Sequence, residues 1–119
     1  MSVAIASGMA YDEVLAQRIH DLLDGEPAVT SRKMFGGLGF MLDGHMAVAA
    51  ASSGSLMVRA YPDDAAAWVS EHVQPMEMRG RPMDGWLLVA PEALRTDDEL
   101  RRWVDRGTAF VRTLPPKQA

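Results

Sequence analysis

The 119-residue sequence has no cysteine, only two lysines, and no apolar run long enough to cross a membrane. Without cysteine there is no disulfide, no thiol nucleophile and no thiolate metal site. A small domain that folds without such bridges suits a reducing interior, so the cytoplasm is the expected location. A membrane-spanning helix needs ~18–20 consecutive apolar residues, and nothing here approaches that. The opening stretch SVAIASGMA lacks both the positive and the long apolar segment of a secretion signal. An excess of positive charge is also missing: 12 basic residues stand against 16 acidic ones, for a net charge of −4. That balance argues against a nucleic-acid coat, and direct DNA binding is not expected.

What remains is a globular composition, 48% hydrophobic and 24% charged, in a chain long enough for one domain with a sizeable core. Residues 1–10 read as a flexible N-terminus, 11–114 as the domain and 115–119 as a C-terminal tail. Across residues 11–23, Val14, Leu15, Arg18, Ile19, Leu22 and Leu23 recur at helical spacing, all but Arg18 apolar, which predicts a helix with one buried stripe. Residues 28–35 are β-prone but mixed, the latter half reading as a strand. Strands follow at 38–42, 45–50 and 56–60. Pro62, Asp63 and Asp64 open a helix carrying Ala66, Ala67, Trp68 and Val69, and Pro75 stops it. Residues 76–79 and 86–89 read as further strands around a turn-rich 80–85. Thr96 and Glu99 then spell a capping box, and Leu100, Trp103, Val104, Gly107, Val111 and Leu114 share one face of a last helix. The expected architecture is α/β (α+β): a curved antiparallel sheet of about five strands with packed helices, in the order α-β-β-β-α-β-β-α.

The stretch MFGGLGFMLDG holds four glycines in eleven residues. A dinucleotide fingerprint would need a third glycine where Leu42 stands, and a helix after it. A phosphate loop would need lysine and a hydroxyl where His45 and Met46 stand. The better reading is a hairpin turning at Asp43-Gly44, because a type I′ turn requires positive φ at both positions. That turn sets Leu42 opposite His45, Met41 opposite Met46, Phe40 opposite Ala47 and Gly39 opposite Val48. Leu38, Phe40 and Leu42 then share one face with Ala47 and Ala49. Gly37, Gly39 and Met41 share the other with Met46, Val48 and Ala50. Both faces are largely apolar, so a partner, most simply a second copy in a homodimer, is expected to cover one of them. Gly107 is expected to be a packing glycine, since a side chain there would push the last helix off the sheet.

No constellation of residues supports catalysis. His20, His45 and His72 form no metal-binding spacing and read as surface histidines. Ser52, Ser53 and Ser55 surround a glycine without a nucleophile elbow and read as a turn. Asp97, Asp98 and Glu99 belong to the first turn of a capped helix. No cofactor and no metal is expected. Met34, Met41, Met46, Met57, Met76, Met78 and Met83 all fall in the sheet region. A methionine-filled core is the expected arrangement, an adaptable binding face the alternative. Arg59, Arg79 and Arg81 are the sharpest binding candidates, Arg79 and Arg81 sharing a side if their strand continues that far. Such guanidinium groups suit a carboxylate or phosphate. A solvated face, or pairing with Glu77 and Asp84, is the commoner arrangement. The arginines of the last helix alternate with Asp98, Glu99 and Asp105, which predicts i,i+4 pairing.

The run RKMFGGLGFMLDGHMAVAA, containing Met34, Phe35, Gly36, Gly37, Gly39, Asp43 and Gly44, is followed by LMVRA and a helix. GWLLVAPEAL, with Trp86, and a final helix bearing Trp103 and Gly107 come after. This series resembles the N-terminal domain of the TfoX/Sxy competence-regulator family over residues 11–114. The resemblance implies a curved antiparallel sheet with helices against it, similar to secretion-chaperone-like folds. It also implies a regulatory or protein-interaction module in DNA uptake or transcription, acting beside the cyclic-AMP receptor protein, so a transcription regulator is the implied partner. The family offers no catalytic residues. Full-length regulators carry a second, C-terminal helical domain, and a single-domain form is expected here. The alternative is a small-molecule or anion-binding protein using the sheet face, with Met41 and Met46, and its arginine anchors.

Overall fold

A computed structural model of the chain describes residues 12–34, 36–51, 53–78 and 80–115. Phe35, Ser52 and Arg79, the whole N-terminal segment 1–11 and residues 116–119 of the tail therefore lie outside the described residues, as do the side chains of Met34, Met78 and Pro82.

Helix α1 (Glu13–Leu22) starts where the Asp12 carboxylate accepts the Leu15 amide at 2.9 Å, which satisfies one of the donors a helix start leaves open. Leu15, Ala16 and Ile19 are its buried residues. Val14 is 72% exposed and departs from the expected stripe. Strands β1 (Val29–Met34), β2 (Gly37–Leu42), β3 (His45–Ala50) and β4 (Leu56–Arg59) form an antiparallel meander. Helix α2 (Pro62–Ala67) leads to β5 (Val73–Met78) and β6 (Arg81–Val89). A short 3-10 turn (Pro91–Ala93) precedes α3 (Asp97–Val111), whose capping box is formed as its sequence dictates. The sheet order is β1-β2-β3-β4-β6-β5.

The sheet thus has six described strands rather than about five. All of residues 29–34 joins it, because β1 pairs with β2 in unbroken register from Val29↔Leu42 to Met34↔Gly37. The region 80–85 is no loop: β6 begins at Arg81, which pairs with Met78 of β5. The expected sharing of a side by Arg79 and Arg81 falls on Arg79, outside the described residues. Pro75 does not end a helix but sits within β5, at a register shift between Pro75 and Glu77. Proline lacks a ladder donor, and an edge strand at a bulge is where a sheet tolerates it. Helix α2 is correspondingly short: of its residues only Ala65 is buried, Trp68 caps it and Val69 is 41% exposed.

The hairpin turns at Asp43 and Gly44, with φ of 52° and 86°, as a type I′ turn requires. Leu42↔His45 and Met41↔Met46 pair as expected, but the next pairs are Phe40↔Val48 and Gly39↔Ala49. Ala47 is the extra residue of a β-bulge, which bends and twists the strand. Beyond it, Val48 and Ala50 therefore join Phe40 on the helix side and Ala49 takes the opposite side, the reverse of a regular register.

The core lies between this sheet and the helices. Phe40, Val48, Leu56, Val58, Leu87 and Val89 pack with Ile19 of α1, Ala65 of α2, and Leu100 and Val104 of α3. Burial of one such large side chain contributes ~1.5–3 kcal/mol. Because all three helices bury residues into this one cluster, they share one face of the sheet. The other face carries no helix among the described residues.

Candidate functional site

Cross-strand pairing defines the helix-free face. Directly paired residues share a face, and the register links Arg32, Gly39, Ala49, Met57, Leu88 and Gln74 in one row, with a residue from each strand. Thr30, Met41 and Met46 form a second row, and Arg59 pairs with Trp86. Met41, Met46, Met57, Trp86 and Leu88 are all half-buried, while Ala49 beneath them is 2% exposed. The small residues open a shallow trough that methionines overhang. A Cβ built on Gly39 would stand 2.6 Å from the Met46 sulfur, so that thioether lies across the glycine.

The methionines do not fill the core. All seven of the sheet-region methionines lie within strands, yet among the described side chains no methionine is fully buried. Met41, Met46, Met57, Met76 and Met83 are half-buried. The core instead takes Val, Leu, Ala and Phe, whose rotamers are better defined. Met41, Met46 and Met57 lie on the sheet's open side, whereas Met83 lines the hollow between α2 and β6.

Of the arginine candidates, Arg59 is held most firmly. Its guanidinium lies 5.8 Å from the Trp86 ring centroid and 5.2 Å from that of Phe110. Phe110 in turn meets Tyr61 edge-on at 4.7 Å. Of the two expected arrangements, a solvated face or pairing with Glu77 and Asp84, the pairing is not found: among the described residues neither Arg59 nor Arg81 is in an ion pair. Arg81 is exposed on the opening residue of β6. Nor do the α3 arginines pair along their own helix. Arg112 bonds Glu26, and Arg18 of α1 reaches Asp97 at 3.6 Å. Arg106 lies over Trp68 and Trp103, at 4.2 and 4.5 Å, where the two rings meet edge-on. Burial there pushes its pKa down from the ordinary arginine value, Arg102 adds to the shift, and Asp64 opposes it. Sequence periodicity brings Arg106 beside Trp103, three residues before it on α3, but could not reveal Trp68 at the end of α2. Nor could it reveal the stack of Arg59 on Trp86 and Phe110, whose partners come from different elements. Trp103 is buried at 8% exposure.

Three hollows lined by described residues bear on these candidates. One of about 300 Å³ between the end of α1 and β1 is lined by His20, Leu23, Asp24, Val29, Ser31 and Phe40, among others. One of about 180 Å³ lies between α2 and β6 and includes Pro62, Ala65, Met83 and Leu87. The third is a broad open depression along α3, where Arg101, Arg102 and Arg106 alternate with Asp98 and Asp105. Neither Arg59 nor Arg81 lines any of them. His45 bonds the Pro115 carbonyl at 2.8 Å, while His20 and His72 contact surface acids. Among the described residues no three His, Cys, Asp or Glu side chains are grouped to hold a metal, and no helix is long and apolar enough to cross a membrane.

Two comparisons bear on this arrangement. The family described as the TfoX N-terminal domain matches residues 21–111, from within α1 to the end of α3. No curated protein matches the chain.

Proposed function

The chain belongs to the TfoX N-terminal domain family, and on that premise we propose that it is a cytoplasmic regulatory module that works by binding protein, first of all a second copy of itself. The observation that supports this is the helix-free sheet face. Met41, Met46, Met57, Trp86 and Leu88 present half-buried apolar surface there around Ala49, with Arg59 at its margin. Methionine, tryptophan and arginine are the residues enriched at protein interfaces. Two copies meeting by that face about a two-fold axis would cover it symmetrically. The regulatory partner proposed for the pair is a transcription regulator, as the family's link to competence suggests, and the effect on DNA would pass through that partner. Binding and not catalysis is the proposed activity.

The second reading, a small-anion site, draws on Arg59, whose guanidinium is stacked and without a carboxylate among the described residues. It has less support, because the arginine lines none of the hollows described above.

Sedimentation velocity tests the dimer. At micromolar concentration the chain is expected at twice its 13.0 kDa mass, and Met57→Glu is expected to return it to a single chain with the fold intact. A wild-type protein that remains a single chain throughout would remove the face-to-face reading.

A further inference from the structure

The sheet ends in two strands of unlike character. At one edge, β5 carries Pro75 and the register shift beside it. A missing donor and a bulge are both devices that close an edge to further pairing. At the other edge, β1 holds no proline and no bulge through six residues. Thr30, Ser31, Arg32 and Lys33 are all exposed, and the outer side of β1 has no strand partner among the described residues. Every second residue there directs its amide and carbonyl away from the sheet.

The cavity of about 300 Å³ lies beside this open edge, on the helix side. Its walls include Leu23 and Phe40, which are 5% and 2% exposed, and its rim carries His20, Ser31 and two acids, Asp24 and Glu26. Glu26 is already paired with Arg112, so the cationic character of the edge rests on Arg32 and Lys33. A strand laid along β1 would send alternate side chains to that side. Arg32 and Lys33 are neighbours, so they project to opposite faces, and neither is in an ion pair among the described residues. A second copy of β1 would bring two further cations to the same seam, which is unfavourable. An acidic strand would be attracted.

We propose that β1 is a docking edge for an extended acidic segment of another protein, which adds a strand to the sheet and seats an apolar side chain in the cavity between α1 and β1. Main-chain hydrogen bonds hold the segment, the cavity selects its side chain, and Arg32 and Lys33 select its charge, as in strand-addition recognition generally. This deepens the reading of the domain as an interaction module. It concerns the sheet's edge, whereas the dimer concerns its face, so the two fail separately.

The test uses the full chain and two dye-labelled, end-capped peptides, Glu-Val-Glu-Leu-Glu-Val and its counterpart with Lys at each Glu, followed by fluorescence anisotropy. The acidic peptide is expected to bind saturably and about tenfold or more tighter than the basic one. The double variant Arg32→Glu, Lys33→Glu, both on exposed side chains, is expected to fold and to invert that order. Hydrogen exchange is expected to slow at residues 30–33 on adding the acidic peptide. Ser31→Pro is expected to abolish binding; if it does not fold, the charge-reversal pair decides alone. Absence of saturable binding, equal binding of the two peptides, an unchanged order in the double variant, or protection away from β1 would each overturn the proposal. So would a dimer that dissociates in the double variant, which would assign the edge to a second copy. A protein that is a single chain by mass yet binds the acidic peptide would uphold this proposal and remove the dimer.

Discussion

Gly107 of α3 lies against the backbone of Ala47 at the β3 bulge: a Cβ built on the glycine would stand 2.5 Å from the Ala47 carbonyl oxygen and 2.8 Å from the Val48 Cγ1. The extra residue of the bulge and the missing side chain of the helix occupy one point of contact. Alanine would improve helix propensity by ~1 kcal/mol, yet a backbone oxygen cannot swing aside. Gly107→Ala is therefore expected to destabilise the protein by ~1–3 kcal/mol, the range for overpacking. A thermal melt checks it, and a raised melting temperature would show that the helix had room.

Gly37 and Gly39 stand two positions apart on the same strand and are expected to respond differently. A Cβ on Gly37 would lie 2.7 Å from the Ala50 carbonyl oxygen, whereas one on Gly39 would lie 2.6 Å from the Met46 sulfur. The oxygen is fixed by the sheet, but the thioether sits on a flexible chain. Gly37→Ala is expected to lower the urea midpoint clearly, and Gly39→Ala only slightly. In a Met46→Ala background the added loss from Gly39→Ala should vanish. Equal losses at the two glycines would contradict this account.

The α3 cap makes stability depend on pH in a defined direction. The Glu99 carboxylate accepts the Thr96 amide at 3.0 Å and the Thr96 hydroxyl at 3.1 Å, and these two bonds hold its pKa below the ordinary 4.5. The folded form thus binds its proton more weakly than the unfolded chain. The contribution is fully present above 4.5 and is lost as pH falls through the folded value. Glu99→Gln should flatten that part of the stability profile below 4.5. Thr96→Ala, which removes the cap itself, should lower stability by ~1 kcal/mol near neutral pH. Urea unfolding across the acid range measures both.

Duplex DNA should not be bound directly. Non-specific affinity follows the number of phosphates neutralised, and the chain's surplus of charge is acidic. Along the exposed side of α3, Arg101, Arg102 and Arg106 are interleaved with Asp98 and Asp105. In anisotropy titrations at about 0.15 M salt, where the Debye length is ~8 Å, no saturable binding is expected below about 1 μM. Tight binding there would move the arginines to the centre of the mechanism.

The sequence revealed most where one physical rule acted alone. Asp43-Gly44 dictated the turn through φ, Thr96 and Glu99 dictated the cap, and the 100-103-104-107-111 spacing dictated the buried side of α3. It misled where two rules competed. Pro75 reads as a breaker by propensity, but an edge position accommodates it. Val14 is apolar and helically spaced with Leu15, yet it falls just outside the contact arc of α1. The bulge at Ala47 left no mark in the local pattern, since alanine suits either face; only the approach of α3 decides the register. For the candidate face, Met41, Met46 and Arg59 were visible as residue types. Their assembly with Met57, Trp86 and Leu88 depends on pairing between strands far apart in sequence, which no periodicity encodes.

The strand order has a consequence for how the domain opens. β1 to β4 are joined each to the next by short turns, and β5 and β6 form a hairpin of their own. In the sheet these two locally wired halves are joined along the pairs from Leu56↔Val89 to Arg59↔Trp86. Each half can form its turns with little loop-closure entropy, whereas the seam must close across the chain that holds α2 and β5. The domain therefore has a natural parting line. A partial opening that spares both halves would run along β4 and β6, lifting away the hairpin that carries the proline-blocked edge and leaving the four-strand meander under α3.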